Sequence, residues 1–562
     1  MKMSSKNFET DTTNFDFFSF DDSVKKNDLS AKNLLISSNI LKKLTYEAFK
    51  RLSFTFSKEH LENIIKAFNS KNASKNDKYV CACILKNAVI AAKNEFALCQ
   101  DTGIATIYGW NDGIFFDDGK GTHPYEQISK GAEKAYKELN MRFSTACPTS
   151  FYEEKDPKNN MPAQVSIFEK DCALAPTPSF AQKAGKKSLS LIFCAKGGGS
   201  SNKTSFVQGT KAYLNEKALT KFLEEQISHI GTSACPPYTL AVVVGGLSPE
   251  QNTLTLKLAT CGAYDNMTYE PNPYGFRDKE LEDKVMQIAA TTGYGAQFGG
   301  SNFALEAIVI RLSRHGASCP LSVGVSCSAH RNLKAILTDK GFYLEKTVLN
   351  PEDLPGAKEC LNYLDSSDDT NSSAKTFFVN TDNGISSTLK ELSNAKCGDK
   401  ILLSGKLLVA RDAAHARWQK LIDSDPQNGL PEYTKQYPIC YAGPARTPKG
   451  KVIGSFGPTT AGRMDVYADT LMKNGAALIT LAKGNRSKMW TDACKKYGAF
   501  YLGTPGGIAA LIASKYIINQ KIIDYEDLGM EAVRLITVKD LPCFVLTDKD
   551  GNDFYSSCGI KS

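Results

Sequence analysis

The chain has 562 residues, too many for one ordinary hydrophobic core, so we expect two or more domains. Hydrophobic residues make up 42% of it and charged residues 23%, the usual balance of a soluble globular protein, and no apolar run approaches the ~20 residues that cross a bilayer. The net charge of +8 is not gathered into basic blocks, and basic residues do not alternate with aromatic ones. We therefore expect no binding to nucleic acid and no membrane association.

Residues 1–32 are the first segment that the sequence sets apart. The first thirty residues contain no arginine, and their acidic residues are Glu9, Asp11, Asp16, Asp21, Asp22 and Asp28. Organellar transit peptides are instead rich in arginine and poor in acids. The composition predicts a disordered acidic tail and a cytoplasmic protein.

Helical and strand patterns alternate through the next part of the chain. Apolar residues at three- and four-residue steps predict helices between residues 33 and 96. Alternating patterns predict strands at 189–193, 238–244 and 254–258, the first leading into the glycine turn 197–199. Residues 304–312 are predicted to form a buried helix that ends at Arg314, His315 and Gly316.

A polar segment without periodicity, residues 364–376, predicts a linker between two domains. Beyond it, apolar runs at 401–409, 476–481 and 500–502 predict strands, and residues 464–471 and 508–518 predict helices. This alternation predicts an α/β domain over 377–562, preceded by a separate domain over 33–363.

Glycine-rich turns are candidate anion sites. Residues 197–204 resemble a phosphate-binding loop, but Asn202 stands where that loop needs a glycine before its lysine. Two more glycine turns, 457–460 and 503–507, precede predicted helices, whose first N–H groups favour carboxylates and phosphates. One such turn is usually ordinary capping, but the three together favour an anionic substrate.

The sixteen cysteines are scattered without Cys-x-x-Cys spacing, so we expect free thiols rather than a disulfide framework. Cys99, Cys235 and Cys327 stand beside turn residues, where backbone N–H groups are free to bond to sulfur, and thiolates are soft ligands for iron. Cys147 and Cys319 also stand beside prolines, so spacing alone leaves the choice of ligands open.

Longer motifs indicate which of these cysteines are the candidate iron ligands. The first set is Phe-Ala-Leu-Cys-Gln-Asp-Thr-Gly (96–103), Ala-Cys-Pro-Pro-Tyr (234–238), Gly-Ala-Gln-Phe-Gly-Gly (295–300), Arg-His-Gly-Ala-Ser-Cys-Pro (314–320) and Gly-Val-Ser-Cys-Ser-Ala (324–329). The second set is Ala-Arg-Asp-Ala-Ala-His (410–415), Gly-Pro-Thr-Thr-Ala-Gly-Arg-Met-Asp (457–465) and Ala-Lys-Gly-Asn (482–485). In this order they resemble class I fumarases, from about residue 40 to the end. The chain differs at His330, where that family usually has an acidic residue, and in its acidic tail.

The resemblance implies a cofactor, a [4Fe–4S] cluster bound by Cys99, Cys235 and Cys327. Three thiolates for four irons leave one iron with an open position, where it can act as a Lewis acid as catalytic zinc does. The implied enzyme is a hydro-lyase that hydrates fumarate reversibly to (S)-malate. The implied partners are a small dicarboxylate substrate and a second copy of the chain in a homodimer.

The resemblance also assigns residues to the substrate and to proton transfer. The implied substrate-binding residues are Gln100, Arg142, Gly199, Arg411, Arg463 and Lys483. Cations are needed because removal of a proton beside a carboxylate creates a dianion. The implied catalytic residues are Asp101, Thr459 and His315. We expect Thr459 to accept the proton with Asp101 as its partner. We expect His315 to have an orienting or proton-relay role.

The predicted fold is an α+β N-terminal domain holding the cluster and an α/β C-terminal domain carrying most of the cations, with the active site in the cleft between them. Tartrate dehydratase and mesaconate hydratase resemble fumarases and remain alternatives. A cluster-based sensor that binds nucleic acid and a nucleotide-dependent enzyme using the 197–204 loop are the alternatives from other classes.

Overall fold

The computed structural model describes residues 14–20, 26–30, 33–117, 119–365 and 374–560. Before the predicted linker the strands are β1 (Phe15–Ser19), β2 (Lys26–Asp28), β3 (Leu34–Ile36), β4 (Ile104–Asp112), β5 (Ile114–Phe116), β6 (Cys147–Pro148), β7 (Glu154–Lys155), β8 (Gln164–Glu169), β9 (Ser188–Lys196), β10 (Ser205–Gly209), β11 (Tyr238–Gly246), β12 (Phe276–Arg277), β13 (Ala304–Arg314), β14 (Cys319–Ser326), β15 (Asn332–Leu337) and β16 (Gly341–Glu345). The helices are α1 (Asn39–Phe54), α2 (Lys58–Phe68), α3 (Lys75–Ala91), α4 (Pro124–Glu138), α5 (Ser179–Lys183), α6 (Gly198–Ser201), α7 (Glu216–Ile230), α8 (Pro249–Ala259), α9 (Lys279–Thr291) and α10 (Ala357–Asn362).

After the predicted linker the strands are β17 (Thr376–Asn380), β18 (Lys400–Val409), β19 (Ile439–Cys440), β20 (Ile479–Ala482), β21 (Phe500–Gly503), β22 (Ile517–Asp524) and β23 (Val533–Thr547). The helices are α11 (Ile385–Leu392), α12 (Asp412–Ser424), α13 (Tyr433–Gln436), α14 (Ala468–Lys473), α15 (Lys488–Tyr497), α16 (Ala509–Lys515) and α17 (Phe554–Ser557). The expected mixture of α and β structure is confirmed.

Two sheets organise the first part of the chain. One has the order β1-β16-β15-β9-β4-β8, and the other β10-β14-β11-β13-β12. Helices α1 and α4 cover one face of the first sheet and bury apolar side chains such as Leu44 and Phe193 there. The opposite face packs with the second sheet and α8 in another buried cluster, which includes Trp110 and Val243. The β4 and β9 ends that carry the Cys99 and Gly197 loops are thereby fixed from both sides.

The sheet of the second part closes on itself. Strands β17 to β21 run parallel in the order β17-β18-β19-β20-β21, and the long strand β23 pairs antiparallel with both β21 and β18. Parallel strands joined by helices carry functional loops at their carboxyl ends. Arg411 follows β18 and Lys483 follows β20, so both basic residues lie at that end.

The two parts share a core across the predicted linker. One buried cluster contains side chains from both, including Leu85 of α3 and Leu511 of α16. The Leu511 amide donates to the Asn87 side chain over 3.0 Å. Residues 366–373, most of the predicted linker, lie outside the described residues, and the division into domains at 364–376 stays a prediction.

Three expectations from the sequence need correction. Residues 15–19 of the predicted disordered tail form β1, which pairs antiparallel with β16, whereas residues 1–13 lie outside the described residues. Residues 254–258 belong to helix α8, not to a strand; Ser248 caps the helix and Pro249 starts it. Residues 304–312 belong to strand β13, not to a helix, and pair in parallel with β11. In the described ranges, no helix is long and apolar enough to span a membrane.

Candidate active site

The loop before β4 carries three of the expected site residues, Cys99, Gln100 and Asp101. It follows α3 and is held by neighbouring residues. The side-chain amide of Gln100 donates to the Pro458 carbonyl over 3.2 Å. Gly457 lies so close to Gln100 that a Cβ there would be 2.5 Å from Oε1. The first half of the chain therefore meets the 457–460 turn of the second half at this loop.

Asp101 is a carboxylate of this site that has one ion pair and two backbone hydrogen bonds. Arg142 pairs with it over 2.8 Å, and the amides of Gly198 and Gly103 donate to it over 3.0 and 3.3 Å. Burial opposes ionisation, but Arg142, Arg331 and the two amides outweigh it and hold the pKa of Asp101 well below its ordinary value. Asp101 is therefore a permanent anion that fixes its cations. It also occupies a backbone N–H of the glycine turn that resembled a phosphate loop.

Cys235 lies buried at the start of β11 and contacts the second half of the chain. Its backbone has φ +65°, a conformation that few residues other than glycine adopt. The Lys483 ammonium donates to its Sγ over 2.7 Å. A Cβ on Gly506 would collide with the same sulfur, so only glycine leaves room there. Gln297 holds this arrangement by bonding to the Pro236 carbonyl and to both backbone groups of Gly506.

Cys327 follows the end of β14 and lies beside Cys235. The Ser328 amide donates to the Cys235 carbonyl over 3.0 Å. The Cys99 loop bonds to Pro458, and Lys483 bonds to both Thr459 and Cys235, so the structure brings the three expected ligands into one region. Burial is the largest influence on the pKa of Cys99 and Cys235 and raises both, whereas Lys483 lowers both and Arg331 lowers that of Cys99.

The three thiols are the candidate donors for the cluster that the motifs imply. Among the described residues, no group of three His, Cys, Asp or Glu side chains converges as one metal ion would require. A four-iron cluster binds each thiolate to a different iron, so its ligands need not converge on one point. Three thiols, an ammonium at bonding distance from one of them and a glycine that leaves space beside a sulfur suit an anionic iron–sulfur group.

The expected substrate cations form two neighbouring groups. Arg142 donates to the Gly443 carbonyl over 3.1 Å, and a Cβ on Gly443 would lie 2.9 Å from the Arg411 guanidinium. Arg411 pairs with Glu531 over 2.8 Å. Arg142 and Arg411 thus lie side by side and are almost fully buried, Arg142 paired with Asp101 and Arg411 with Glu531 and Asp412.

Thr459 and Arg463 form the second group. The Arg463 guanidinium donates to Thr459 Oγ1 over 2.8 Å and pairs with Asp412 over 3.1 Å. Thr459 is also bonded through its backbone carbonyl to the Lys483 amide, so the threonine and the lysine are neighbours. No bond joins Thr459 to Asp101 within the described ranges. The direct partner of the threonine hydroxyl is an arginine.

Gly199 lies in the short helix α6, beside the Cys235 loop: a Cβ there would approach Ala234 Cα at 3.6 Å. It therefore borders the same site as Asp101 and Cys235.

His315 does not join the other site residues. It follows β13, is exposed and accepts a hydrogen bond from the Ala317 amide over 3.2 Å. Because β13 runs parallel to β11, and Cys235 precedes β11 while His315 follows β13, the two residues lie at opposite ends of the sheet, roughly 30 Å apart at ~3.3 Å per residue. The structure therefore places His315 outside the site of its own chain.

Arg331 is a buried cation near the site that the sequence did not single out. It is 4% exposed, Nε donates to the Ala329 carbonyl over 3.3 Å, and Nη1 is buried without a hydrogen-bond partner. Burial opposes its charge, but Cys99, Cys327 and Asp101 outweigh burial and raise its pKa. Its position four residues after Cys327 was the available signal. Arg331 is a fixed cation facing two expected cluster ligands.

Replacing Arg331 with methionine is expected to loosen the cluster. Neighbours of metal ligands typically contribute ten- to a hundred-fold in metal affinity, so a chelator should remove the iron at about ten to a hundred times lower concentration. Arg331→Lys keeps the positive charge but not the planar guanidinium, so its iron affinity should lie between those of the wild type and Arg331→Met. Arg417→Met is the control, because Arg417 is a surface residue paired with Asp527. Unchanged iron release from Arg331→Met would contradict this role.

Comparison with known proteins identifies the family. The model described as "Fumarate hydratase (Fumerase)" matches residues 42–336, and the one described as "Fumarase C-terminus" matches residues 355–558. A Leishmania major protein named fumarate hydratase 2 is 42% identical over 525 residues, which cover 93% of this chain and 88% of the relative. An Escherichia coli K12 protein named fumarate hydratase class I, anaerobic, is 41% identical over 537 residues, 95% of this chain and 93% of the relative. The chain belongs to the class I fumarate hydratase family.

The resemblance stated from the motifs is thereby confirmed. A more distant relative comes from Methanocaldococcus jannaschii and is named putative L(+)-tartrate dehydratase subunit alpha. It is 25% identical to this chain over 286 residues, which cover 50% of this chain and 92% of the relative. Both family segments contribute to the candidate site: the three cysteines lie in 42–336, and Arg411, Thr459, Arg463 and Lys483 lie in 355–558.

Proposed function

We propose that this chain is a hydro-lyase that adds water reversibly to fumarate to give (S)-malate. The observation that carries the proposal is the contact between Lys483 and Cys235, which joins an expected cluster ligand to an expected substrate cation across the two family segments. Around it lie the buried ion pair of Asp101 with Arg142 and the neighbouring Arg411. An anionic diacid with two charged ends suits this density of cations.

Cys99, Cys235 and Cys327 would hold a [4Fe–4S] cluster. When bound, it would supply one iron without a protein ligand as a Lewis acid for a substrate oxygen. Arg331 and Lys483 neutralise part of the charge of the thiolates. The site would then lie in the cleft between the N-terminal and C-terminal domains, with the cluster ligands on one wall and most cations on the other.

The protein's own residues perform the binding. Arg142 and Arg411 bind one carboxylate of the dicarboxylate, Arg463 and Lys483 bind the other, and Gln100 and Gly199 shape the space between them. Asp101 holds Arg142 in place through its ion pair. Because these cations are fixed before substrate arrives, they stabilise the dianion that forms when a proton leaves the carbon beside a carboxylate.

Thr459 accepts that proton in the proposal. Its hydroxyl bonds to the Arg463 guanidinium, and a cation at this distance favours the ionised form of a hydroxyl. Lys483, its neighbour through the backbone, adds to the same effect. Among the described residues, Asp101 has no bond to Thr459 and acts on it only through its charge: burial lowers the pKa of the Arg463 guanidinium, and the charge of Asp101 raises it.

The deciding experiment is an anaerobic assay of reconstituted protein against fumarate, mesaconate and both tartrate enantiomers, with iron and sulfide measured on the same sample. We expect fumarate to give L-malate and about four irons per chain. A full cluster with preference for another diacid would move the substrate but keep the chemistry. Absence of both cluster and turnover would refute the proposal.

A homodimer gives His315 its place in the proposal. His315 lies too far from the site of its own chain, so we propose that it serves the site of the partner. In a mixed dimer of Cys99→Ser and His315→Asn chains, one site then carries both lesions and the other neither, so activity should reappear that neither homodimer has. If mixing restores nothing, His315 acts in its own chain or not at all.

Air exposure gives an independent check of the cluster. An iron with an open position is exposed to oxidants, so we expect activity to decay in air and to return with ferrous iron and thiol. Activity that is indifferent to air and to chelators would contradict the cluster. The cytoplasmic address stays a prediction, and cell fractionation tests it.

A further inference from the structure

Two buried cysteines outside the candidate site are in direct contact. Cys194 of β9 and Cys261, which follows α8, have their sulfur atoms 3.2 Å apart. Both are at most 1% exposed. At this sulfur–sulfur distance the two thiols share a hydrogen bond. A disulfide bond of ~2.05 Å needs a further approach of only about 1 Å.

Both cysteines are held by rigid structure. Strand β9 lies inside its sheet and pairs with β4 on one side and β15 on the other, so Cys194 is fixed. Cys261 lies in the turn directly after α8, and its backbone N–H donates to the Leu258 carbonyl over 3.0 Å. Helix α8 packs against β11 and β14. The short sulfur–sulfur distance is therefore a property of the fold.

Positive charge lies next to the pair. The hydrogen bond shared with Cys194 lowers the pKa of Cys261; burial opposes this, and Lys196 and Lys257 add to the lowering. Lys196 is itself buried and donates to the carbonyls of Thr260 and Val325 over 3.2 and 3.1 Å. One of the two thiols thus has support for its thiolate, the form that attacks oxidants.

A cavity lies beside Cys261. It has a volume of about 540 Å³ and is lined by Cys261 and Gly262 together with polar residues that include Glu59, His60, Glu306 and His330. The polar lining admits water and small polar solutes. Cys261 borders this cavity and Cys194 does not, so we expect an oxidant in the cavity to reach Cys261 before Cys194.

We propose that Cys194 and Cys261 form a dithiol that a hydroperoxide converts to a disulfide. The Cys261 thiolate attacks the peroxide oxygen, the O–O bond breaks, and water leaves once the hydroxide takes up a proton. The resulting sulfenic acid is then attacked by the Cys194 sulfur, the S–S bond forms and a second water leaves. Hydrogen peroxide accepts the two electrons, and the two thiol hydrogens end in the two waters.

The bond would join two elements that border the active site. Strand β9 continues through Lys196 to Gly197 and Gly198, whose amide donates to Asp101. Thr260, next to Cys261, is bonded to Lys196. The disulfide would therefore join the turn after α8 to strand β9, which leads to the Gly198 contact with Asp101. The proposed oxidant-sensitive cluster would lie close to this contact.

Peptide mapping of the intact holoenzyme tests the proposal. The protein is treated with hydrogen peroxide, alkylated under denaturing conditions and digested with trypsin, which cuts after Lys187, Lys196, Lys257 and Arg277, so that each cysteine lies alone in its peptide. We expect peptide 188–196 linked to peptide 258–277, with two of the sixteen thiols lost and both recovered by reductant.

Variants provide the matched controls. Cys194→Ala should abolish the linked peptide and leave Cys261 to oxidise further to sulfinic acid, whereas Cys494→Ala, also at a buried cysteine, should leave the link intact. The wild-type mapping decides the matter even if a variant folds poorly. The proposal is overturned if both cysteines stay alkylatable while others oxidise, or if Cys261 links to a different cysteine.

Discussion

Cys327→Ser is expected to leave a protein that retains almost no iron after anaerobic reconstitution and hydrates fumarate at least about 10³-fold more slowly, equivalent to ~4 kcal/mol of barrier. The reason is that Cys327 is one of only three expected ligands, and a serine hydroxyl is a poor ligand for iron. Iron and sulfide analysis together with kcat measures both effects. The far-ultraviolet circular dichroism should stay unchanged, because Cys327 is in a loop after β14.

Cys319→Ser is the matched control for that result. Cys319 starts β14, is buried and lies at the opposite end of the strand from Cys327. We expect full cluster content and kcat within about twofold, with stability lowered by about 1–3 kcal/mol because a hydroxyl replaces a buried thiol. If the two variants exchange behaviour, the ligand set assigned here is wrong.

Thr459→Val should have the second largest effect. Valine keeps the shape of threonine but removes the hydroxyl, and loss of a positioned proton acceptor typically slows a reaction 10²–10⁴-fold. We expect kcat to fall by about that factor, with iron content unchanged because Thr459 contacts Arg463 rather than a cysteine. Exchange of the malate C3 proton with solvent deuterium should fall in parallel.

Thr459→Ser separates the hydroxyl from the methyl group. Serine keeps the oxygen that bonds to Arg463, so activity and proton exchange should remain within about tenfold of the wild type. Proton exchange that persists in Thr459→Val would assign the proton acceptor to another residue.

Local patterns predicted most elements of this fold, and the errors came where burial removed the pattern. Residues 254–258 alternate in polarity, but α8 lies between sheets and buries Thr255 as well as Leu256 and Leu258, so alternation carried no information there. The Ser248 cap and Pro249 were the better signals. Strand β13 has both faces largely covered, and the β-branched run at 308–310 was the sign of a strand.

The candidate site was predicted from motifs, and tertiary structure supplied the rest. The motifs named the three cysteines and the cations, which the fold brings together. They did not indicate that Asp101 would be saturated by Arg142 and two amides, since those partners are up to ~100 residues away. Arg331 was missed because its burial and its unpaired guanidinium nitrogen become visible only in the folded structure.

The contact of Lys483 and Gly506 with Cys235 has a consequence for how the protein matures. A nascent chain exposes all three cysteines long before its last eighty or so residues leave the ribosome, and strand β23, which closes the second sheet, is among the last to emerge. Until then Cys235 has neither its ammonium partner Lys483 nor the contact with Gly506. For the proposed cluster, we therefore expect iron and sulfide to be bound by a chain that has already folded.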